Sequence, residues 1–119
     1  MPVDAPVSAS NAEHYTWGPS DRPCDGWHLV RAPEVSVILE RMPPGACEAR
    51  HRHERARQFF FVLEGRLTIE LDGRETELAA GSGLEVAPAR PHQAFNRANC
   101  DARFLVISQP PSHGDRVAA

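Results

Sequence analysis

His51-Arg52-His53 is the tripeptide best suited to chemistry in this chain. In a strand, residues i and i+2 point to one face, so the two imidazoles converge while Arg50 and Arg52 face away. A metal ion needs such convergence. The same tripeptide on a surface would be two solvated histidines, and the pair alone leaves both readings open. His92 lies in a separate expected strand and could close a site from across a barrel. Cys47 shares strand parity with His51 through Ala49. Its thiol either adds a donor at the mouth of the site or packs as a small hydrophobe.

Short strands must position these residues. Segments rich in Val, Ile, Leu and Phe alternate with Pro, Gly and Asp turns, which predicts strands near 27–31, 34–42, 46–53, 57–64, 66–72, 75–79, 83–87, 92–97 and 103–109. No window keeps the i, i+3, i+4, i+7 pattern of a helix. Asp72-Gly73 between two alternating segments predicts a hairpin, because both central positions of a type I′ turn need positive φ. Many short antiparallel strands imply an all-β sandwich or barrel. Residues 1–25, rich in Pro, Ser, Ala and Asp, are expected to be a loose arm. The barrel is expected over 26–109, and an irregular tail over 110–119.

The spacing around the histidines resembles the cupin superfamily, a small single-domain member in particular. Gly45, His51, His53, Gln58 and Gly65 fall at the intervals of the first cupin motif, G-x5-H-x-H-x3/4-E-x6-G, with Gln58 standing where Glu is usual. Gly81, His92 and Asn96 match the second motif, G-x5-P-x-G-x2-H-x3-N, with Ala87 and Ala89 replacing its Pro and Gly. The resemblance implies a jelly-roll β-barrel (a double-stranded β-helix) with one divalent metal in its mouth. His51, His53 and His92 would be its ligands, joined by Gln58 at the Glu position. Three imidazoles suit Zn, Ni, Fe, Mn or Cu.

Gln58 changes the chemistry expected. A Glu would bring a negative charge, whereas a Gln brings a neutral carbonyl oxygen or only hydrogen-bonds a neighbouring group. With neutral ligands the ion keeps its charge, favours an anionic ligand and acts as a strong Lewis acid. A metalloenzyme acting on a small anionic or enolisable metabolite, by isomerase or lyase chemistry, is therefore expected. A metabolite-binding module without turnover and a metal-dependent dioxygenase are the alternatives. Some sugar-acid-processing cupins, including those that linearise unsaturated uronates, also resemble this His-His-Gln-His set.

Other residues are candidates for the pocket wall. Parity from Gln58 turns Phe60 and Val62 inward and Phe59 and Phe61 outward. Phe60 is either a wall beside the metal or core. Asn96 is expected to hydrogen-bond backbone groups. His113 and Arg116 either fold back over the pocket or lie on an exposed tail. The outward phenylalanines need cover. As small cupins are often dimers, the resemblance makes a homodimer the expected state.

Composition narrows the partners. The 119 residues fit one domain. A net charge of -3 argues against a nucleic-acid surface, and no apolar run approaches a membrane span. The N-terminus lacks a signal-peptide pattern, so the expected compartment is the cytoplasm. Three cysteines without a CxxC argue against a disulfide framework. All 13 basic residues are Arg, so no lysine can act as base or Schiff-base nucleophile. Proton transfer is left to a carboxylate, an imidazole, Tyr15, a Cys or metal-bound water.

Overall fold

A computed structural model describes residues 4–119. Among them are eleven strands: β1 (Glu13–Trp17), β2 (Cys24–Arg31), β3 (Ser36–Met42), β4 (His51–His53), β5 (Arg57–Glu64), β6 (Arg66–Leu71), β7 (Arg74–Ala79), β8 (Gly83–Val86), β9 (His92–Phe95), β10 (Ala102–Gln109) and β11 (Arg116–Ala118). They form two antiparallel sheets. One has six strands in the order β1-β2-β3-β10-β5-β8, the other five in the order β11-β4-β9-β6-β7. This is the double-stranded arrangement expected of an all-β jelly roll.

Alternation explains the sheets. In β10 every second residue from Ala102 to Ser108 is buried, and β5 buries Gln58, Phe60 and Val62 on the same face. Their registers place Phe104 opposite Val62, Val106 opposite Phe60 and Ser108 opposite Gln58. Phe104, Val62, Met42, Leu67 and Ile69 form the centre of the core. Phe59 and Phe61 stack on the outer face, their ring centroids 6.2 Å apart. The Asp72-Gly73 turn joins β6 to β7 with φ of 52° and 87°, both in the left-handed region that type I′ requires.

Four boundaries differ from the sequence reading. Part of the expected loose arm is β1, which pairs with β2 from Glu13 opposite His28 to Trp17 opposite Cys24. Its Tyr, Thr and Trp suit a strand, but a five-residue edge strand has too few positions to reveal a period. β2 begins at Cys24, earlier than expected, because β1 supplies its partner. The expected strand 46–53 contracts to His51–His53. Before it, Gly45, Ala46 and Glu48 bond to Asn96 and Ala94 with irregular spacing. The expected irregular tail contains β11, which lies along β4 with Arg116 opposite His53 and Ala118 opposite His51.

Candidate metal centre

β4 and β9 bring the three histidines together. His51 and His53 project from the same face of β4, and the register sets His51 opposite His92 on β9. Each side chain offers a ligand atom, and these atoms lie within 4.8 Å of one another. The ring centroids are 4.8 Å apart for His51 and His53, 4.5 Å for His51 and His92, and 5.8 Å for His53 and His92. All three residues are buried. Arg50 and Arg52 face outward onto Glu70 and Glu54.

The hydrogen bonds prepare the rings for a cation. His51 Nδ1 donates to the Ala49 carbonyl at 2.8 Å, and His92 Nδ1 to the Arg90 carbonyl at 2.9 Å. Each N–H bond fixes a tautomer whose Nε2 carries a lone pair. Burial lowers the pKa of all three rings, that of His51 to about 4. The imidazoles are therefore neutral at pH 7, as ligands must be.

Gln58 on β5 faces the same space. Its Nε2 donates to Ser108 Oγ at 3.1 Å, which orients the amide, while its buried Oε1 has no partner. His53 Nδ1 and His92 Nε2 are likewise buried and unpartnered. Unsatisfied buried polar atoms cost roughly 1–3 kcal/mol each, so a cluster of them calls for an explanation. A bound cation would satisfy Gln58 Oε1 and His92 Nε2, and the donor set of imidazoles and one amide oxygen fits a divalent transition metal.

The centre opens into a cavity of about 300 Å³. Its walls include His51, His53, Gln58 and Phe60, together with Glu40, Glu48 and Tyr15. Phe60 packs edge-on to His92 at 6.0 Å. Ser112, His113, Gly114 and Arg116 also line the space, so the chain's last residues fold back over it. Asp115 secures that return. Its carboxylate accepts the N–H groups of Glu54, Arg55 and Ala56 at 3.1, 2.9 and 2.9 Å, just after the His51–His53 strand. Those donors, the Arg55 N–H foremost, hold its pKa below the usual carboxylate range.

Cys47 and Asn96 lie outside this cavity. Parity from His51 assumes a regular strand, but the chain is irregular at 46–50. Cys47 sits half-buried in an isolated bridge with Phe95, and Glu48 takes the inward place instead. Asn96 Nδ2 donates to the carbonyls of Met42 and Cys100, both at 2.8 Å, and so ties two loops together.

Glu40 and Glu48 supply carboxyls that the motif spacing does not single out. Burial pushes Glu48 up to about 7 and, with the neighbouring Glu48 carboxylate, Glu40 up to about 8. Glu48 Oε2 accepts the Ala94 N–H at 3.1 Å and lies 3.9 Å from His51 Nδ1. Glu40 has a sequence signal, since Ser36, Ile38, Glu40 and Met42 alternate toward the interior. Glu48 has none, because its direction depends on the irregular backbone.

A two-sheet barrel with three histidines at its mouth defines a class of protein, and comparison with known proteins places the chain within it. The chain belongs to the cupin family: the Cupin domain model matches residues 38–108. An uncharacterized protein of Methanocaldococcus jannaschii is 32% identical over 89 residues, 74% of this chain and 71% of that protein. Polyketide synthase CurC of Streptomyces cyaneus is 33% identical over 72 residues, 60% of this chain and 47% of that protein. The crystal structure of a predicted oxalate decarboxylase from Thermotoga maritima superposes with a TM-score of 0.81 at 18% identity, covering 90% of this chain and 100% of that one. That last likeness is one of fold.

Proposed function

We propose that this chain is a metal-dependent cupin that acts on a small anionic or enolisable metabolite by isomerase or lyase chemistry. The observation that carries the reading is the convergence of His51, His53 and His92, whose ligand atoms lie within 4.8 Å of one another, with Gln58 and its unpartnered Oε1 lining the same cavity as His51 and His53. His51, His53, His92 and Gln58 would hold the ion. A divalent metal bound there would polarise a carbonyl or carboxylate as a Lewis acid.

The remaining residues have complementary work. Arg116 adds a cation to the wall, favouring an anionic ligand. Phe60 and Trp17 provide apolar surface that limits water. Glu40 and Glu48 are carboxyls with pKa values near neutrality, suited to general acid–base catalysis. Their presence in the cavity favours turnover over simple binding. Gln58 in place of a carboxylate favours this chemistry over dioxygenase chemistry. The protein is further proposed to work in the cytoplasm as a homodimer, with the outer-face Phe59 and Phe61 as interface.

Metal and substrate arms test the reading together. Calorimetric titration of metal-stripped protein with Zn²⁺ or Ni²⁺ is expected to give one site per chain, absent in His51→Ala. Proton exchange on a keto acid without oxygen uptake supports the isomerase or lyase assignment. Oxygen consumption with the same substrates would replace it with the dioxygenase, and tight binding with neither would leave a binding module.

A further inference from the structure

Tyr15, Gly26 and Glu40 form a row across three neighbouring strands. The register sets Tyr15 of β1 opposite Gly26 of β2, and Gly26 opposite Glu40 of β3. Directly opposed residues share a face of the sheet, here the one lining the cavity. Gly26 leaves an opening in the row. A Cβ at this position would lie 2.5 Å from the Tyr15 hydroxyl oxygen, so the ring occupies the space that any other residue would fill. Tyr15 thereby reaches past β2 on the cavity wall it shares with Glu40. Burial holds the Tyr15 pKa above its ordinary value, so the phenol keeps its proton.

Glu40 differs from its neighbour Glu48, whose Oε2 already accepts the Ala94 N–H. The charged and titratable groups around Glu40 are Tyr15, Glu48, Arg116 and the buried Cys24 thiol. We infer that Glu40 is the catalytic residue that moves a proton to and from the substrate, and that Tyr15 is the residue that positions it. The inference rests on the proposed function and names its acid–base group. The substrate class is an acid with an enolisable hydrogen on the carbon between a ketone and a carboxylate. The Glu40 carboxylate takes that hydrogen as a proton: the C–H bond breaks, an O–H bond forms on Glu40, and the electron pair moves to the ketone oxygen. Return of the proton to that oxygen gives the enol, and return to carbon restores the keto acid. The proton count balances and no oxidant is consumed.

Oxaloacetate in ²H₂O is a suitable probe, with loss of its C3 proton signal followed by NMR on metal-loaded protein. Wild type is expected to accelerate exchange over His51→Ala. Glu40→Gln is expected to slow it by at least about 100-fold while metal affinity stays unchanged and the protein stays folded. A protein-only readout accompanies it, the ¹³C titration of the Glu40 carboxyl. Tyr15→Phe removes a donor that stabilises the carboxylate, so the Glu40 midpoint and the pH midpoint of exchange are both expected to rise. Gly26→Ala, which displaces the Tyr15 ring, is expected to move both the same way. Exchange in Glu40→Gln within twofold of wild type would overturn the inference and leave the proposed function standing. A Glu40 titration unmoved by Tyr15→Phe would overturn the positioning role. No exchange by wild type above His51→Ala would overturn both the function and the inference.

Discussion

A glutamine at position 58 leaves the proposed donor set, His51, His53, His92 and Gln58, without a negative charge. The Ser108 hydroxyl holds the Gln58 amide with Nε2 turned away and Oε1 unpartnered in the buried cavity wall. Gln58→Ala is therefore expected to weaken metal affinity about tenfold or more and to change the absorption of a Co²⁺-substituted site. Unchanged affinity and an unchanged spectrum would remove Gln58 from the coordination. The carboxyls of the cavity make a separate prediction for the metal-free protein. Glu40 and Glu48 have folded pKa values raised above the ordinary 4.5, to about 8 and 7. The folded state then binds more protons than the unfolded state above pH 4.5, so their contribution to stability falls as pH rises through that window. The histidines act oppositely. Their lowered values mean that the unfolded state binds more protons below its ordinary 6.5, so stability is lost as pH falls from there toward about 4, the value for His51. Between pH 6.5 and 8 the carboxyl effect is left largely alone. Denaturant titrations of the apo protein are expected to show stability declining across that window, with a shallower decline in Glu40→Gln. An equal slope in the variant would contradict the burial of Glu40.

At the scale of elements, β4 carries two of the three histidines yet spans three residues, so its neighbours must hold it. β9 pairs with it on one side and β11 on the other. Asp115, just before β11, takes three backbone N–H groups after β4. Asp115→Ala leaves those donors without their partner, and it is expected to lower Tm by roughly 5 °C or more and to weaken metal affinity. Full retention of both would contradict the role of the C-terminal return. Ala89, where the family motif has glycine, has φ of 68° while its N–H bonds to the His53 carbonyl. An L-residue with a Cβ is disfavoured there by roughly 1–2 kcal/mol. Ala89→Gly is accordingly expected to be neutral or stabilising by about 1 kcal/mol in urea unfolding, and a clear loss of stability would contradict that backbone strain. Most elements were legible in the sequence because alternation and turn residues are local. The Asp72-Gly73 hairpin and the run from Phe59 to Val62 are examples. β1 and β11 were not, because each is a short strand defined by a distant partner. Parity also failed at Cys47 and Glu48, where the chain leaves the regular strand.

Across the whole molecule, two sheets enclose a core and leave a polar cavity where β4 meets the C-terminal return. His51 and His53 were legible from spacing, because two residues apart on a strand means one face, and His92 from its place in the family motif. The carboxyl side was not, since Glu40, Glu48 and Tyr15 meet only through the closure of the barrel and the pairing of β1. The outer face of the six-stranded sheet exposes Phe59, Leu63 and Val30 at 38%, 45% and 42%. With Phe61 stacked beside Phe59, this surface is the proposed homodimer interface. Sedimentation at micromolar concentration is expected to show a dimer, and Phe59→Glu a monomer. A wild-type monomer under those conditions would contradict the interface. The proposed metal centre is more fundamental than the assembly, and metal content after purification without added metal tests it most directly. Elemental analysis is expected to find about one divalent transition metal per wild-type chain and little in His51→Ala, with lower thermal stability in the variant. Two metal-free proteins of equal stability would contradict the metal centre.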